Sequence, residues 1–282
     1  MKNQKICQSL IFAVIFFAFA LTCFGQNLLK RTTYKTETFD LGAGGTVTLT
    51  GAPYGSVTIE GWNKNEIEVS AEIEIQAATR ADLDKLSTVN GFIMDESFNH
   101  LRIISVGTHD KQYIKKNFKK LPKNLLEMPF KIDFRIKLPR FCDLNIDGGV
   151  GNFVISGVDG NMRINFVKGD AKMSLEGGAI QAIFGNGNVE ISIPTRSWRG
   201  RFADIQLISG TMNVFLPLSL NAQIDANILR SGQIENTFAE LKPRERNALF
   251  TDKVIVGKSG IGGVPLSFKV GDGTLKISQI KN

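Results

Sequence analysis

The sequence predicts an all-β protein, a β-solenoid or β-roll-like stack of short strands with glycine corners and about 18 residues to a coil. One short helix and one basic insertion interrupt the stack. Three observations carry this prediction. Glycine recurs at 151, 160, 169, 178 and 187, a constant spacing of nine. Within each nine, apolar residues alternate with polar ones. The same strand-and-glycine grammar returns, more loosely, on both sides of that segment.

From the N-terminus, residues 1–25 read as a secretory signal peptide. Lys2 and Lys5 give a positive start, and Leu10 to Leu21 is almost unbroken apolar sequence. Cys23 and Gly25 are small residues at the −3 and −1 positions before Gln26. The apolar run falls short of the ~20 residues a spanning helix needs, and Ala20-Leu21-Thr22-Cys23 fits a lipidation site poorly. A chain cleaved there is exported, to the periplasm, the cell envelope or the extracellular space. Cys142 is then its single cysteine, so stability rests on packing and backbone pairing rather than on an internal disulfide. Asp143 beside it disfavours a thiolate, so Cys142 reads as a small buried apolar residue.

Residues 26–140 form an N-terminal β-rich segment, continuous with a regular repeat over 141–282. TVTLT (46–50), GSVTIEGW (55–62), EIEVSAEIEIQA (66–77), LRIISVG (101–107) and PFKIDFRIKLP (129–139) all alternate with period two, the mark of a half-buried strand. ATRADLDKLSTV (78–89) is the short helix, with Leu83 and Leu86 spaced for one face.

The stretch 111–131, KQYIKKNFKKLPKNLLEMPFK, carries seven lysines against Glu127 alone. Cleavage removes Lys2 and Lys5 from the 34 basic residues and none of the 27 acidic ones, leaving +5. The stretch, at +6, accounts for all of that excess. Ile114, Phe118, Leu121 and Leu125 fall at helical spacing, although Pro122 interrupts it. Lys115, Lys116, Lys119, Lys120 and Lys123 are the candidate contacts to an anionic envelope polymer or lipid surface, which would make any membrane contact peripheral. The competing reading is a solvated insertion whose lysines deter edge pairing.

Numbered from its glycine, each nine places Phe153, Met162, Ala171, Ile180 and Val189 at position three. Position five holds Ile155, Ile164, Met173, Ala182 and Ile191; position seven holds Gly157, Phe166, Leu175, Phe184 and Ile193. Position four reads Val154, Arg163, Lys172, Gln181 and Glu190. Odd positions therefore face inward and even positions outward. A strand-and-corner unit cannot bury its own apolar face, so stacked units must bury it for one another. At two nines per coil, Lys172 and Glu190 become neighbours of opposite charge. Calcium β-rolls also use glycine-rich nonads, but their aspartate position holds Phe153, Met162, Ala171, Ile180 or Val189 here, which excludes that ion.

GTMNVFLP (210–217), SGQIENTF (231–238) and VGDGTLKI (270–277) continue the grammar. TRSWRGRFAD (195–204) and LKPRERNALFTDK (241–253) read as loops that leave a coil and rejoin it.

Motifs for chemistry are sparse. Only His100 and His109 occur, neither with a second ligand at zinc spacing. No nucleophile elbow and no phosphate-binding loop appears, and an exported chain is no reader of nucleic acid. No cofactor, metal or catalytic residue is assigned. Asp170, Glu176 and Glu190 are outward carboxylates that a polysaccharide-acting enzyme could use, but their spacing does not make them converge.

Residues 136–194, IKLPRFCDLNIDGGVGNFVISGVDGNMRINFVKGDAKMSLEGGAIQAIFGNGNVEISIP, resemble the DUF4097 family of bacterial exported β-strand repeat proteins, a "putative adhesin" domain. That pattern has a strand ending in proline, then alternating T-x-N-G-D and S-G-x-x-G corners. LPRFCDLNIDGG stands at its start, ISGVDG gives the second corner and FGNGNVEI the first. GSVTIEGW (55–62) matches the usual opening and GDGTLKI (271–277) the closing segment. FVKGD departs from it, with Lys168 in place of asparagine. The resemblance implies a β-solenoid-like fold, export and a binding or surface role, with no established catalytic residues. The expected function is a non-catalytic envelope adhesin or scaffold meeting an envelope polymer, a surface glycan or an envelope protein. The alternatives are a polysaccharide-acting solenoid enzyme and a periplasmic partner in protein interaction or sensing.

Overall fold

The computed structural model describes residues 28–118, 121–194 and 200–280. The expected signal peptide, Lys119 and Lys120 lie outside the described residues. The elements, in order, are β1 (Leu29–Asp40), β2 (Gly45–Tyr54), β3 (Val57–Trp62), β4 (Glu66–Ala77), helix α1 (Arg80–Val89), β5 (Gly91–Ser97) and β6 (His100–Val106). Helix α2 (Lys111–Asn117), a 3-10 turn (Lys123–Leu125), β7 (Phe130–Pro139), β8 (Cys142–Val150), β9 (Phe153–Ser156), β10 (Asn161–Lys168) and β11 (Ala171–Ser174) follow. The chain continues through β12 (Ala179–Ser192), β13 (Phe202–Leu216), β14 (Ala222–Asn236), β15 (Lys242–Pro243), β16 (Val254–Ser259) and β17 (Val264–Gln279).

The fold is all-β, with every strand hydrogen-bonded into one sheet that curls into a half-barrel. One side of the curl runs β5, β6, β2, β8 and β10, then the first halves of β12, β13, β17 and β14, then β16 and β15. The other side runs β1, β4, β7, β3, β9 and β11, then the second halves of the same four long strands. The long strands pair in parallel, and β17 sits between β13 and β14.

Over β8–β12 the register steps by eighteen. Met162 pairs with Leu144 and Ile180, and Ala171 pairs with Phe153 and Val189. Lys172 lies beside Glu190 as the spacing requires. Elsewhere the step differs, as where Ala203 pairs with Ile180 and with Leu266.

The facing assignment holds at positions three and five, while Val158 at position eight and Ala179 at position two are buried against it. All the position-three and position-five residues are buried, and position seven is buried in the last four nines. Arg163, Lys172, Gln181 and Glu190 are exposed. Phe153, Phe166 and Phe184 meet in the core with ring centroids 5.0–6.3 Å apart. Side chains on neighbouring rungs also cap backbone amides that the corners would leave unpaired. Asn188 N–H donates to Asp170 Oδ1 at 2.9 Å, and Asn161 N–H to Asp143 Oδ1 at 2.7 Å. Cys142 is buried, its Sγ 3.1 Å from the Gly45 carbonyl oxygen. Burial, with Asp143 nearby, pushes the thiol up to about 12.

The expectation of short strands fails for β12, β13, β14 and β17, which are 14, 15, 15 and 16 residues long. These four strands pass through the corner along a column of stacked glycines, Gly55, Gly151, Gly169, Gly187, Gly210, Gly273 and Gly232. The first three of these lie instead in the breaks between β2 and β3, β8 and β9, and β10 and β11. A Cβ on Gly169 would strike the Gly151 carbonyl, and one on Gly187 the Gly169 carbonyl. Without side chains the backbones nest closely enough to bend while pairing continues through the corner.

Other boundaries also shift. β1 and β5 are strands the alternation does not mark. Phe202–Asp204, expected in a loop, open β13, and β15 lies inside the expected loop 241–253. Helix α1 begins two residues into the expected span, where Thr79 Oγ1 accepts the Asp82 amide at 3.1 Å. It buries Leu83, Leu86 and Val89. Helix α2 is capped by Asp110, buries Ile114 and ends before Pro122.

Candidate functional site

A broad concavity lies on the solvent side of β1, β4, β7 and β3, a groove of about 660 Å³. These strands alternate so that Ile67, Val69, Ala71, Ile73 and Ile75 of β4, with Phe134 and Ile136 of β7, enter the core. Their intervening residues must then face the groove. Backbone register arranges these in rows. Tyr34, Glu72, Asp133 and Ser56 make one row, and Thr36, Ser70, Arg135 and Thr58 the next. Thr38, Glu68, Lys137 and Glu60 make a third.

Most charges here are neutralised locally. Glu68 meets Lys137 at 3.3 Å, Asp133 meets Lys131 at 2.8 Å and Glu74 meets Lys30 at 2.6 Å. Burial raises the Asp133 carboxyl, but Lys131 and the Ser56 amide, 2.7 Å away, outweigh it and hold it below the usual carboxylate range. Asp133 is thus kept ionised, as a structural anion rather than a proton donor. Thr36 and Ser70 share a hydroxyl hydrogen bond of 3.0 Å. Sequence reasoning missed this groove. The charge pattern of EIEVSAEIEIQA and KIDFRIKLP was visible, but Tyr34 sits on a strand with no apolar period, and β7 inserts between β3 and β4.

The basic stretch lies elsewhere. Lys115 and Lys116 are exposed on the last turn of α2, and Lys123 is exposed on the 3-10 turn. Beside them is a second hollow of about 460 Å³ lined by Tyr54, His109, Leu126, Met128, Pro129 and Phe130. The His109 ring stacks on Phe130 at 5.3 Å, and its buried Nδ1 has no hydrogen-bond partner. Burial pulls the imidazole below its ordinary 6.5, against opposing contributions from Asp110 and the Ser105 and Gly51 backbone. The unfolded chain therefore takes up the proton first, and stability falls as pH drops below 6.5. The midpoint of urea unfolding should fall between pH 7 and pH 5.5, and by less in His109→Gln. An equal fall in both proteins would remove His109 as the cause.

The three outward carboxylates of the repeat each lie beside a different partner. Asp170 accepts the Asn188 amide, Glu176 is ion-paired with Arg140, and Glu190 lies beside Lys172.

No family model matches the chain, and no curated protein matches it. Among solved structures it is similar to a "putative cell adhesion protein" from Clostridium sporogenes, at 13% identity and a TM-score of 0.51. That match covers 89% of this chain and 100% of the other. This likeness shows a shared fold. Weaker superpositions, too loose to carry an argument, reach a "putative adhesin" from Bacteroides fragilis (12% identity, TM-score 0.36, 87% and 97% covered). A "putative lipid binding protein" from Parabacteroides distasonis is similar at 11% identity and a TM-score of 0.31, with 88% and 97% covered. Among the described residues, no helix is long and apolar enough to cross a membrane.

Proposed function

We propose that this protein is an exported, non-catalytic module of the cell envelope, a β-solenoid-like adhesin or scaffold of the DUF4097 type that works by binding. The observation that carries this reading is the groove over β1, β4, β7 and β3, an open polar face on a rigid sheet. Its carboxylates Glu68 and Asp133 are tied to lysines rather than poised for proton transfer. The fold shared with the clostridial "putative cell adhesion protein" supports a binding role. The exposed Lys115, Lys116 and Lys123 add an anionic-surface contact, with Lys119 and Lys120 as the same stretch continues.

The test is co-sedimentation of the mature chain with bacterial envelopes and with purified cell wall. Retention at low salt in either fraction is the expected result. A chain that stays in the supernatant with both would end the proposal. Polysaccharide cleavage by the purified chain that disappears in Glu72→Gln would replace it with the enzymatic reading.

A further inference from the structure

We infer that the groove over β1, β4, β7 and β3 is a saccharide-binding site, taking a neutral, hydroxyl-rich oligosaccharide across Tyr34, Glu72 and Arg135. This rests on the binding role proposed above and names the ligand class for it.

The first observation is Tyr34. Its neighbours on the outward face of β1 are lysine and threonines, yet this large ring is 76% exposed at the groove's edge. An exposed phenol ring offers a flat apolar platform with a polar tip. A pyranose has the matching shape, one face of C–H groups and a rim of hydroxyls.

The second is a pair of unused charges. Lys30, Glu68, Glu74, Lys131, Asp133 and Lys137 around the groove are all ion-paired. Among the described residues, Glu72 and Arg135 have no side-chain hydrogen-bond or ion-pair partner. Register puts Glu72 directly between Tyr34 and Asp133, and puts Arg135 between Ser70 and Thr58. The two are therefore diagonal neighbours across β4 and β7, roughly 7–8 Å apart at their backbones. A carboxylate accepts from two adjacent hydroxyls, and a guanidinium donates two parallel hydrogen bonds. Adjacent hydroxyls and ring oxygens on a sugar present that pattern, and the row of Arg135 adds Ser70 and Thr36 on one side of it and Thr58 on the other.

Charge decides against the other polymers. The lining holds three carboxylates, Glu68, Glu72 and Asp133, against Arg135 and Lys137, with Lys131 pairing Asp133 at the margin. Within that lining neither an anionic chain nor a basic peptide finds more than one free counter-charge; Glu60, at the end of the third row, lies outside it. A neutral ligand loses nothing by this balance. Size agrees as well. Four strands at ~4.8 Å spacing give about 14 Å across, and 660 Å³ falls within the roughly 300–1,000 Å³ of small-molecule sites. That room suits a short chain of rings.

The experiment titrates the mature chain with chitohexaose, cellohexaose and maltohexaose by calorimetry. At least one should bind saturably. Tyr34→Ala and Glu72→Gln should each weaken that binding by about tenfold or more, while Tyr34→Phe, which keeps the ring, should retain it. Arg163→Ala, exposed on β10 on the opposite side of the curl, should change nothing. Unchanged thermal melts in all four variants would show that folding is not the cause. No binding to any of the three sugars, equal binding by Tyr34→Ala, or tighter binding of pentalysine than of every sugar overturns the inference. Run beside envelope sedimentation, the two readings separate. A wild-type chain that pellets with envelopes yet binds no sugar removes the saccharide site alone. A Tyr34→Ala chain that loses sugar but still pellets keeps the site and places envelope adhesion elsewhere.

Discussion

Ile164→Asp should leave little or no folded protein, whereas Arg163→Asp should melt within a few degrees of the wild type. The two positions are adjacent on β10 and differ only in the side of the sheet they face. Ile164 is fully buried, its register neighbours being Ile146 and Ala182. Substitution there removes an apolar side chain worth about 1.5–3 kcal/mol. It also places a carboxylate where no cation waits, at a further cost of several kcal/mol. Together these approach the whole stability of a typical domain, about 5–15 kcal/mol. Arg163 instead projects into solvent between Asn145 and Gln181, where a substitution is worth about 0.5 kcal/mol either way. Circular dichroism melts of the two purified proteins decide the matter. Equal losses would mean that the inward and outward faces have been exchanged.

Gly169→Ala should also lower stability well beyond a surface change, although it adds a single methyl group. Its Cβ would enter the carbonyl of Gly151, which is backbone and cannot rotate away. The φ of +140° is itself hostile to an L side chain. Overpacking and backbone strain each cost about 1–3 kcal/mol, so a fall in melting temperature on the order of 10 °C is expected. Gly91→Ala is the control. Gly91 lies on β5 outside the column, and its added Cβ would meet only Ile73 Cδ1, at 3.9 Å. It should melt close to the wild type. If both variants fall equally, the column is not a close-packed element.

The same residues show how far the fold could be read in advance. Period-two alternation separates inward from outward wherever one face is buried, which is why positions three and five, from Phe153 to Ile191, could be assigned one by one. The repeat of nine also made Lys172 and Glu190 neighbours. It did not reveal that strands β12, β13, β14 and β17 run unbroken through the corner, because spacing shows where glycines fall and not that they nest. β1 was illegible for a different reason. LKRTTYKTETFD is polar on both faces and is held by pairing with β4, together with contacts such as Lys35 Nζ to the Phe92 carbonyl at 3.2 Å. The groove needed β1, β4, β7 and β3 in that order, and the pairing of Thr58 with Arg135 spans most of the N-terminal segment. Local pattern carries no information about such distant partners. The described residues of the lysine-rich stretch, conspicuous in composition, contribute nothing to the lining of the groove.

The place of β17 between β13 and β14 has a consequence for how the molecule is made. Strands β13 and β14 are neighbours in the chain but never in the sheet, so β14 with its attached β16 has no docking edge until residues 264–279 arrive. A polypeptide emerging N-terminus first can assemble the rungs as far as β13 and must then wait, with that edge open to solvent. The final step is an insertion from both sides at once, closing two parallel ladders with one strand. Such late, long-range closure is slow. It makes the interval after synthesis, before β17 seats, the time when this chain is most open to proteolysis or to mispairing with another copy of itself.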